Sequence, residues 1–316
     1  MLYLYFVKLV LVIIALLISV GGSSQSFFDF PDTINKKRLA GVVAIETIGT
    51  AGSLLALNQV WYSQYPRSSF HLFNDNAEWL QMDKVGHTLT AYYIGYAGVK
   101  ALQWTGAKRK RAIWYGAGLG LLYQTGLETL DAFSTGWGFS IGDMVANVAG
   151  TGLVVAQELL WDDQRIKMKF SAHLTDYAGF RPNALGSTVG ERLLKDYNGQ
   201  TYWLSFNLKS FAFKENQRFP GWLNVAIGYG ATQMISGTKN PDLYCNGNAW
   251  CKGLDRHRQW YLSLDADLTK IGSGKYQKKL KSGFLKAFFG TFGFIKIPAP
   301  ALEFSKNGVR LNPFYF

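Results

Sequence analysis

The sequence predicts an α+β protein: an N-terminal four-helix, membrane-associated bundle followed by a C-terminal antiparallel β region, with a small barrel as the alternative to an open sheet. Three observations predict it. Before residue 162 the chain carries four apolar, Gly- and Ala-rich runs of helical length. From residue 165 apolar and polar residues alternate with a period of two. Charge divides at the same place: residues 1–163 hold 11 basic and 12 acidic side chains, whereas 164–316 hold 22 basic and 9 acidic. The organisation that follows is 1–26 signal peptide, 27–163 helical bundle and 164–316 basic, aromatic-rich β region. With 48% hydrophobic and 17% charged residues the chain is not intrinsically disordered. Its 2 Cys cannot make a disulfide scaffold or a four-thiolate metal site.

Residues 1–20 are apolar except for Lys8, and Leu9–Val20 has the length of a signal-peptide core. The small and polar residues Gly21–Ser26 follow, which places cleavage between Ser24 and Phe27; an uncleaved anchor is the alternative. No Cys stands nearby to take a lipid. Export suits Cys245 and Cys251, which flank a turn-rich loop and can close a small disulfide in an oxidising compartment.

The helices are expected at about Leu39–Tyr62, Asp83–Trp104, Arg109–Phe133 and Ser140–Trp161. Each would span about 30 Å at 1.5 Å per residue, enough to cross a bilayer core. Small residues let helix backbones approach closely. If the leader is exported, the Lys108-Arg109-Lys110-Arg111 hairpin lies outside the cytoplasm, against the positive-inside tendency. This favours an exported bundle in or against a membrane, in the periplasm or outer membrane, over a multi-span inner-membrane protein.

Polar side chains recur inside these apolar helices. Asp83 and His87 are one turn apart after Lys84, and Asp143 and Asn147 repeat that spacing. Glu128 and Asp131 share a face near the end of the third helix. Burying such groups is costly unless they meet one another, a cation or a polar ligand. The three segments are Asp83-Lys84-Val85-Gly86-His87, then Glu128-Thr129-Leu130-Asp131, then Phe139-Ser140-Ile141-Gly142-Asp143-Met144-Val145-Ala146-Asn147 with Gly150 three residues on. In this order they resemble the DUF2279 family of YfiM-like predicted periplasmic lipoproteins. They are more distantly similar to VanZ-like membrane proteins, which are associated with glycopeptide resistance. The resemblance covers about residues 40–165 and implies a helical envelope module without an established activity. Asp131 stands where VanZ-like proteins carry Gln, and the lipid-bearing Cys of the lipoproteins is missing.

These residues support a polar core or a ligand-binding cluster made of Asp83, Lys84, His87, Glu128, Asp131, Asp143 and Asn147. A buried network would fix helix register, with Lys84 neutralising a carboxylate. A divalent metal would use His87, Glu128, Asp131 and Asp143, an N/O set that suits zinc or manganese. A metal-bound water would extend that to hydrolysis of a lipid or cell-wall precursor. No other cofactor is indicated, no Ser-His-Asp spacing occurs, and the glycines of Gly116–Gly120 sit in an apolar helix rather than a phosphate loop.

Strands are expected at Arg165–Phe170, Thr201–Phe213, Trp222–Ile235, Trp260–Leu268, Ala299–Phe304 and Val309–Phe316, with Asn307-Gly308 as a type I′ turn. Glu191–Tyr197 is expected as a short helix and Lys278–Phe289 as a basic amphipathic segment. An open sheet packed on the bundle is favoured over a barrel, because Pro313 interrupts the last strand. The basic charge suits anionic lipid or lipopolysaccharide headgroups, not nucleic acid, in an exported protein. The leading function is a non-enzymatic envelope component that binds lipid or an envelope protein partner.

Overall fold

Helix α1, Lys36–Leu57, begins where the Asn35 side chain accepts from the backbone N–H groups of Lys37 and Arg38, both at 3.1 Å. It continues into a π turn, Asn58–Tyr62. The computed structural model describes residues 30–63, 65–240, 253–270, 290 and 292–315. The expected leader, the Cys245–Cys251 disulfide and the amphipathic segment Lys278–Phe289 lie outside them.

Three further long helices follow: α2, Met82–Trp104; α3, Arg109–Ala132; and α4, Ile141–Trp161. All four agree with the sequence expectation within a few residues. Ser140 caps α4 by accepting from Asp143 N at 3.1 Å, and the helix stops at Asp162, whose φ is 54°. Glycine sets how closely the helices pack. A Cβ on Gly120 of α3 would lie 2.2 Å from Ala91 O of α2, and one on Gly150 of α4 would lie 2.2 Å from Thr88 O. The chain before α2 runs against the α3–α4 connection, with Phe73 N donating to Phe139 O at 3.0 Å. It then makes a left-handed turn at Trp79, Leu80 and Gln81, with φ of 45°, 51° and 66°. Such backbone is disfavoured for residues with a Cβ. It is held by Trp79 N donating to Gly237 O at 2.6 Å and by packing of Trp79 and Leu80 around Met82, Tyr202 and Met234.

The second half is a six-stranded antiparallel meander in the order β1-β2-β3-β4-β5-β6. Its strands are β1 Ile166–Ala172, β2 Gln200–Asn207, β3 Leu223–Thr232, β4 His257–Ala266, β5 Ala299–Ser305 and β6 Gly308–Tyr315. Short helices α5, Pro182–Leu185, and α6, Val189–Lys195, lie between β1 and β2, and α7, Leu208–Phe211, follows β2. The expected strand Thr201–Phe213 stops at Asn207, because its side chain caps α7 by accepting from Ser210 N at 3.0 Å. The type I′ turn does not form: Lys306 and Asn307 keep negative φ and only Gly308 is left-handed, at 101°. Pro313 sits where the β5–β6 register shifts, on the edge strand, where a missing N–H is tolerated. The sheet is open rather than a closed barrel, with β1 and β6 at its edges. It nevertheless curls, so that the Tyr315 hydroxyl of β6 lies 2.9 Å from Thr201 Oγ1 of β2.

The two faces of this sheet are inverted relative to a soluble protein. The concave face buries Lys169, Ser205, Asn224 and Asp265 beside Trp203 and Tyr261. Lys169 Nζ meets Asp265 Oδ2 at 2.7 Å with both side chains 0% exposed, and Lys167 Nζ meets Asp267 Oδ1 at 2.8 Å. The convex face carries Met168, Leu204, Ile227, Leu262 and Leu302, paired across successive strands. At β1 this face packs on the bundle, Met168 joining Tyr92, Val99, Ile113 and Val154 in one core. Tyr229 and Ala231 of β3 still pack with Leu80 and Met82, but the rest of the face is open: Ile227 is 47%, Trp260 51% and Leu264 55% exposed.

Candidate functional site

The N-termini of α2 and α4 and the C-terminal end of α3 meet around one acidic chamber. Each helix supplies side chains one turn apart, so every pair projects from a single face. Asp83 and Asp143 lie in the first turns of their helices, where the positive dipole end favours a carboxylate. Gly142 brings α4 close to the side chains of Asn76 and Lys84: a Cβ there would lie 2.2 Å from Asn76 Oδ1 and 3.0 Å from Lys84 Cε.

Lys84 ties the chamber together. Its Nζ lies 2.6 Å from Asp75 Oδ1 and 2.7 Å from Asp143 Oδ1, and 3.7 Å from Asp83 Oδ2. Asp75 also accepts from Ser140 Oγ at 2.6 Å, linking the loop before α2 to the α4 cap. His87 stands behind Lys84. Its Nε2 is 3.8 Å from both Asp83 Oδ1 and Glu128 Oε1. Its Nδ1 is 3.1 Å from Asn147 Oδ1 and 3.0 Å from Gln124 Nε2, which also donates to Asn147 Oδ1 at 3.2 Å. Glu128 is 1% exposed; its Oε2 accepts from Ser140 N at 2.9 Å, while Oε1 has no hydrogen-bond donor among the described residues. Tyr197 OH donates to Asp83 Oδ1 at 2.8 Å, and Tyr62 OH donates to Asp131 Oδ1 at 2.7 Å.

All seven residues expected from the sequence therefore surround this chamber, though not as one tight set. Asp83, His87 and Asp143 offer ligand atoms within 4.8 Å of one another. Glu128 borders them through His87, whereas the hydrogen-bond partner of Asp131 is Tyr62. The spacing argument missed Asp75, Tyr62, Tyr197, Gln124 and the capping role of Ser140. Gln124 was accessible to it, standing one turn before Glu128; Asp75, Tyr62 and Tyr197 arrive through tertiary contacts alone.

A cavity of about 240 Å³ opens onto these groups, lined by Asp75, Glu78, Asp83, His87, Asp131 and Asp143. Carboxylates outnumber cations there, and their proton affinities show it. Burial pushes Glu128 up to about 8. Burial and the charge of Asp83 raise Asp143 to about 7, and burial raises Asp131 to about 6. Burial alone would lower His87, but the carboxylates of Asp83, Asp143 and Glu128 outweigh it and raise the imidazole. The chamber can thus hold protons or a cation rather than an anion.

Two further features lie apart from the chamber. A groove of about 590 Å³ runs between the bundle and the convex sheet face, lined by Val85, Leu153, Met168, Leu204, Phe206 and Ile227, with Arg258 at its border. Helix α1 is long and apolar enough to cross a membrane, with mean hydropathy 1.6 and 6% of that window buried. Helix α4 passes the same test, at 1.3 and 39%.

No curated protein and no solved structure matches the chain. Residues 71–158, which run from the loop bearing Asp75 through α2, α3 and most of α4, match the model of DUF2279, described as a predicted periplasmic lipoprotein; the match supports an exported envelope protein and names no activity.

Proposed function

We propose that the protein is a non-enzymatic envelope component that works at a membrane surface, with the convex face of its sheet resting among lipid acyl chains. The inverted sheet is the observation that carries this. A solvated sheet turns its polar face to water, whereas lipid-facing sheets turn apolar residues outward and polar ones in. Here Leu204, Ile227, Trp260, Leu262, Leu264, Leu302 and Phe304 point outward, while ion pairs such as Lys169–Asp265 lie inside. So large an exposed apolar patch marks a membrane or protein contact. The apolar groove beside it continues the same surface and suits an acyl chain. Helix α1 adds Ile45, Ile48 and Leu55, all exposed.

The geometry favours lying in a leaflet over crossing the bilayer. Among the described residues β6 has no strand partner on its outer edge, and unpaired backbone groups are not tolerated in the hydrocarbon core. The partner is therefore membrane lipid, reached from the periplasmic side. The test is flotation of the purified full chain with vesicles of phosphatidylethanolamine and phosphatidylglycerol. The expected result is co-flotation that survives high salt, because the contact is apolar. Protein that stays in the aqueous fraction as a soluble monomer would overturn the reading.

A further inference from the structure

We propose that Asp83, His87 and Asp143 bind one divalent cation of the zinc–manganese class, with Glu128 as an additional ligand. This site is independent of the membrane reading. It rests first on convergence: one carboxylate oxygen or imidazole nitrogen from each of the three residues lies within 4.8 Å of the others. Ligands about 2.0–2.2 Å from a metal lie somewhat closer together than that, so the groups need to draw in by about an ångström. Asp83 and His87 are partly accessible and line the open cavity, which gives a cation its entry path.

The second observation is Glu128. A carboxylate 1% exposed with an oxygen that accepts no hydrogen bond is costly, and that oxygen points at His87 Nε2 from 3.8 Å. Among the described residues no donor satisfies it; a cation bound between it and the imidazole would. The third observation is the outer partner of His87. Nδ1 lies 3.1 Å from Asn147 Oδ1 and 3.0 Å from Gln124 Nε2; in the tautomer that donates to Asn147, Gln124 Nε2 serves Asn147 Oδ1 and the Nε2 lone pair faces Asp83 and Glu128. Metal-bound histidines are held in this manner, with the far ring nitrogen fixed by a carbonyl or carboxylate. Lys84 Nζ, 2.6 Å from Asp75, 2.7 Å from Asp143 and 3.7 Å from Asp83, shares two of these ligands and has to draw toward Asp75 for a cation to enter. Asp143 keeps a second oxygen, and Asp75 remains as an acceptor for Lys84 when a cation arrives. One imidazole with two or three carboxylates is an N/O set for zinc or manganese, whereas magnesium and calcium take oxygen alone.

The experiment uses the full chain in detergent, stripped with chelator and titrated with zinc chloride or manganese chloride by calorimetry. One equivalent is expected to bind. His87→Gln and Asp143→Asn should each weaken binding at least tenfold. Asp131→Asn, on the same cavity but hydrogen-bonded to Tyr62, should change it less than threefold. Should the ligand variants not fold, X-ray absorption of zinc-loaded wild type decides, since one imidazole and at least two carboxylate oxygens should surround the metal. Wild type that binds neither ion, binding unmoved by His87→Gln, equal loss in Asp131→Asn, or a first shell without imidazole would each overturn the site.

Discussion

Lys84 is the only ammonium that reaches both Asp75 and Asp143 among the described residues, and removing it would leave two largely buried carboxylates facing each other. Lys84→Met should therefore cost about 3–5 kcal/mol, as breaking one side of a buried pair does. Asn147→Ala, which orphans no net charge, should cost about 1–3 kcal/mol; urea unfolding of both variants checks the ranking. Protons in the chamber set a pH dependence that is measurable in chelator. Glu128 and Asp131 are raised from 4.5 and 3.8 to about 8 and about 6, both chiefly by burial. A raised folded-state value means stability that is complete below the unfolded value and is lost as pH climbs through the folded one. The melting temperature should accordingly fall from pH 5 to pH 8.5, and Glu128→Gln should flatten that slope. Asp75 works the other way at the acid end: burial pushes it up, but hydrogen bonds from Lys84 and Ser140 outweigh that and hold it low. A melting temperature that rises steadily from pH 5 to pH 8.5 would contradict the assignment of these carboxyls as buried acids. At this scale the sequence was informative wherever both partners of an interaction share a helix face, as with Asp83 and His87. It was silent on Asp75, which sits in a loop, and on Tyr197, which sits in a 3-10 turn 114 residues along the chain from Asp83.

Helix packing can be tested within one helix. Gly118 and Gly120 are both in α3, yet a Cβ on Gly118 meets nothing within 4 Å, while one on Gly120 lies 2.2 Å from Ala91 O. Gly118→Ala should stabilise by about 0.8–1.0 kcal/mol through helix propensity. Gly120→Ala should destabilise by about 1–3 kcal/mol, because the obstacle is backbone and cannot rotate away. Equal effects would show that α2 and α3 are not in the close contact described. The four long helices were legible because apolar length is a local signal. The six strands were legible from period-two alternation, but their ends were not. Asn207 ends β2 through a side-chain cap, and Gly308 alone takes the left-handed position that a type I′ turn would have required of its two central residues. Alternation also reports that a strand has two faces without saying which one meets water. Along Arg165–Phe170 the lysines turned out to be the enclosed set, with Lys169 fully buried on Asp265.

At the scale of the whole molecule, Lys167, Lys169 and Lys296 are buried among the described residues of the second half, but so are Asp196, Asp265 and Asp267, so the excess positive charge of that half is not interior. The membrane reading nevertheless rests on apolar contact, because the outward face of the sheet is leucine, isoleucine and tryptophan. Replacing Leu262 by Lys should weaken vesicle binding at least tenfold, as loss of a buried leucine removes about 1.5–3 kcal/mol before the charge is counted; flotation against wild type measures it. The most direct test places single nitroxide labels along β4 at positions 260–264, with Cys245 and Cys251 replaced, and measures their accessibility to oxygen and to a water-soluble nickel chelate on vesicles. The account predicts alternation with a period of two, positions 260, 262 and 264 being open to oxygen and shielded from the chelate. Free access of the chelate to those three positions on vesicle-bound protein would contradict it.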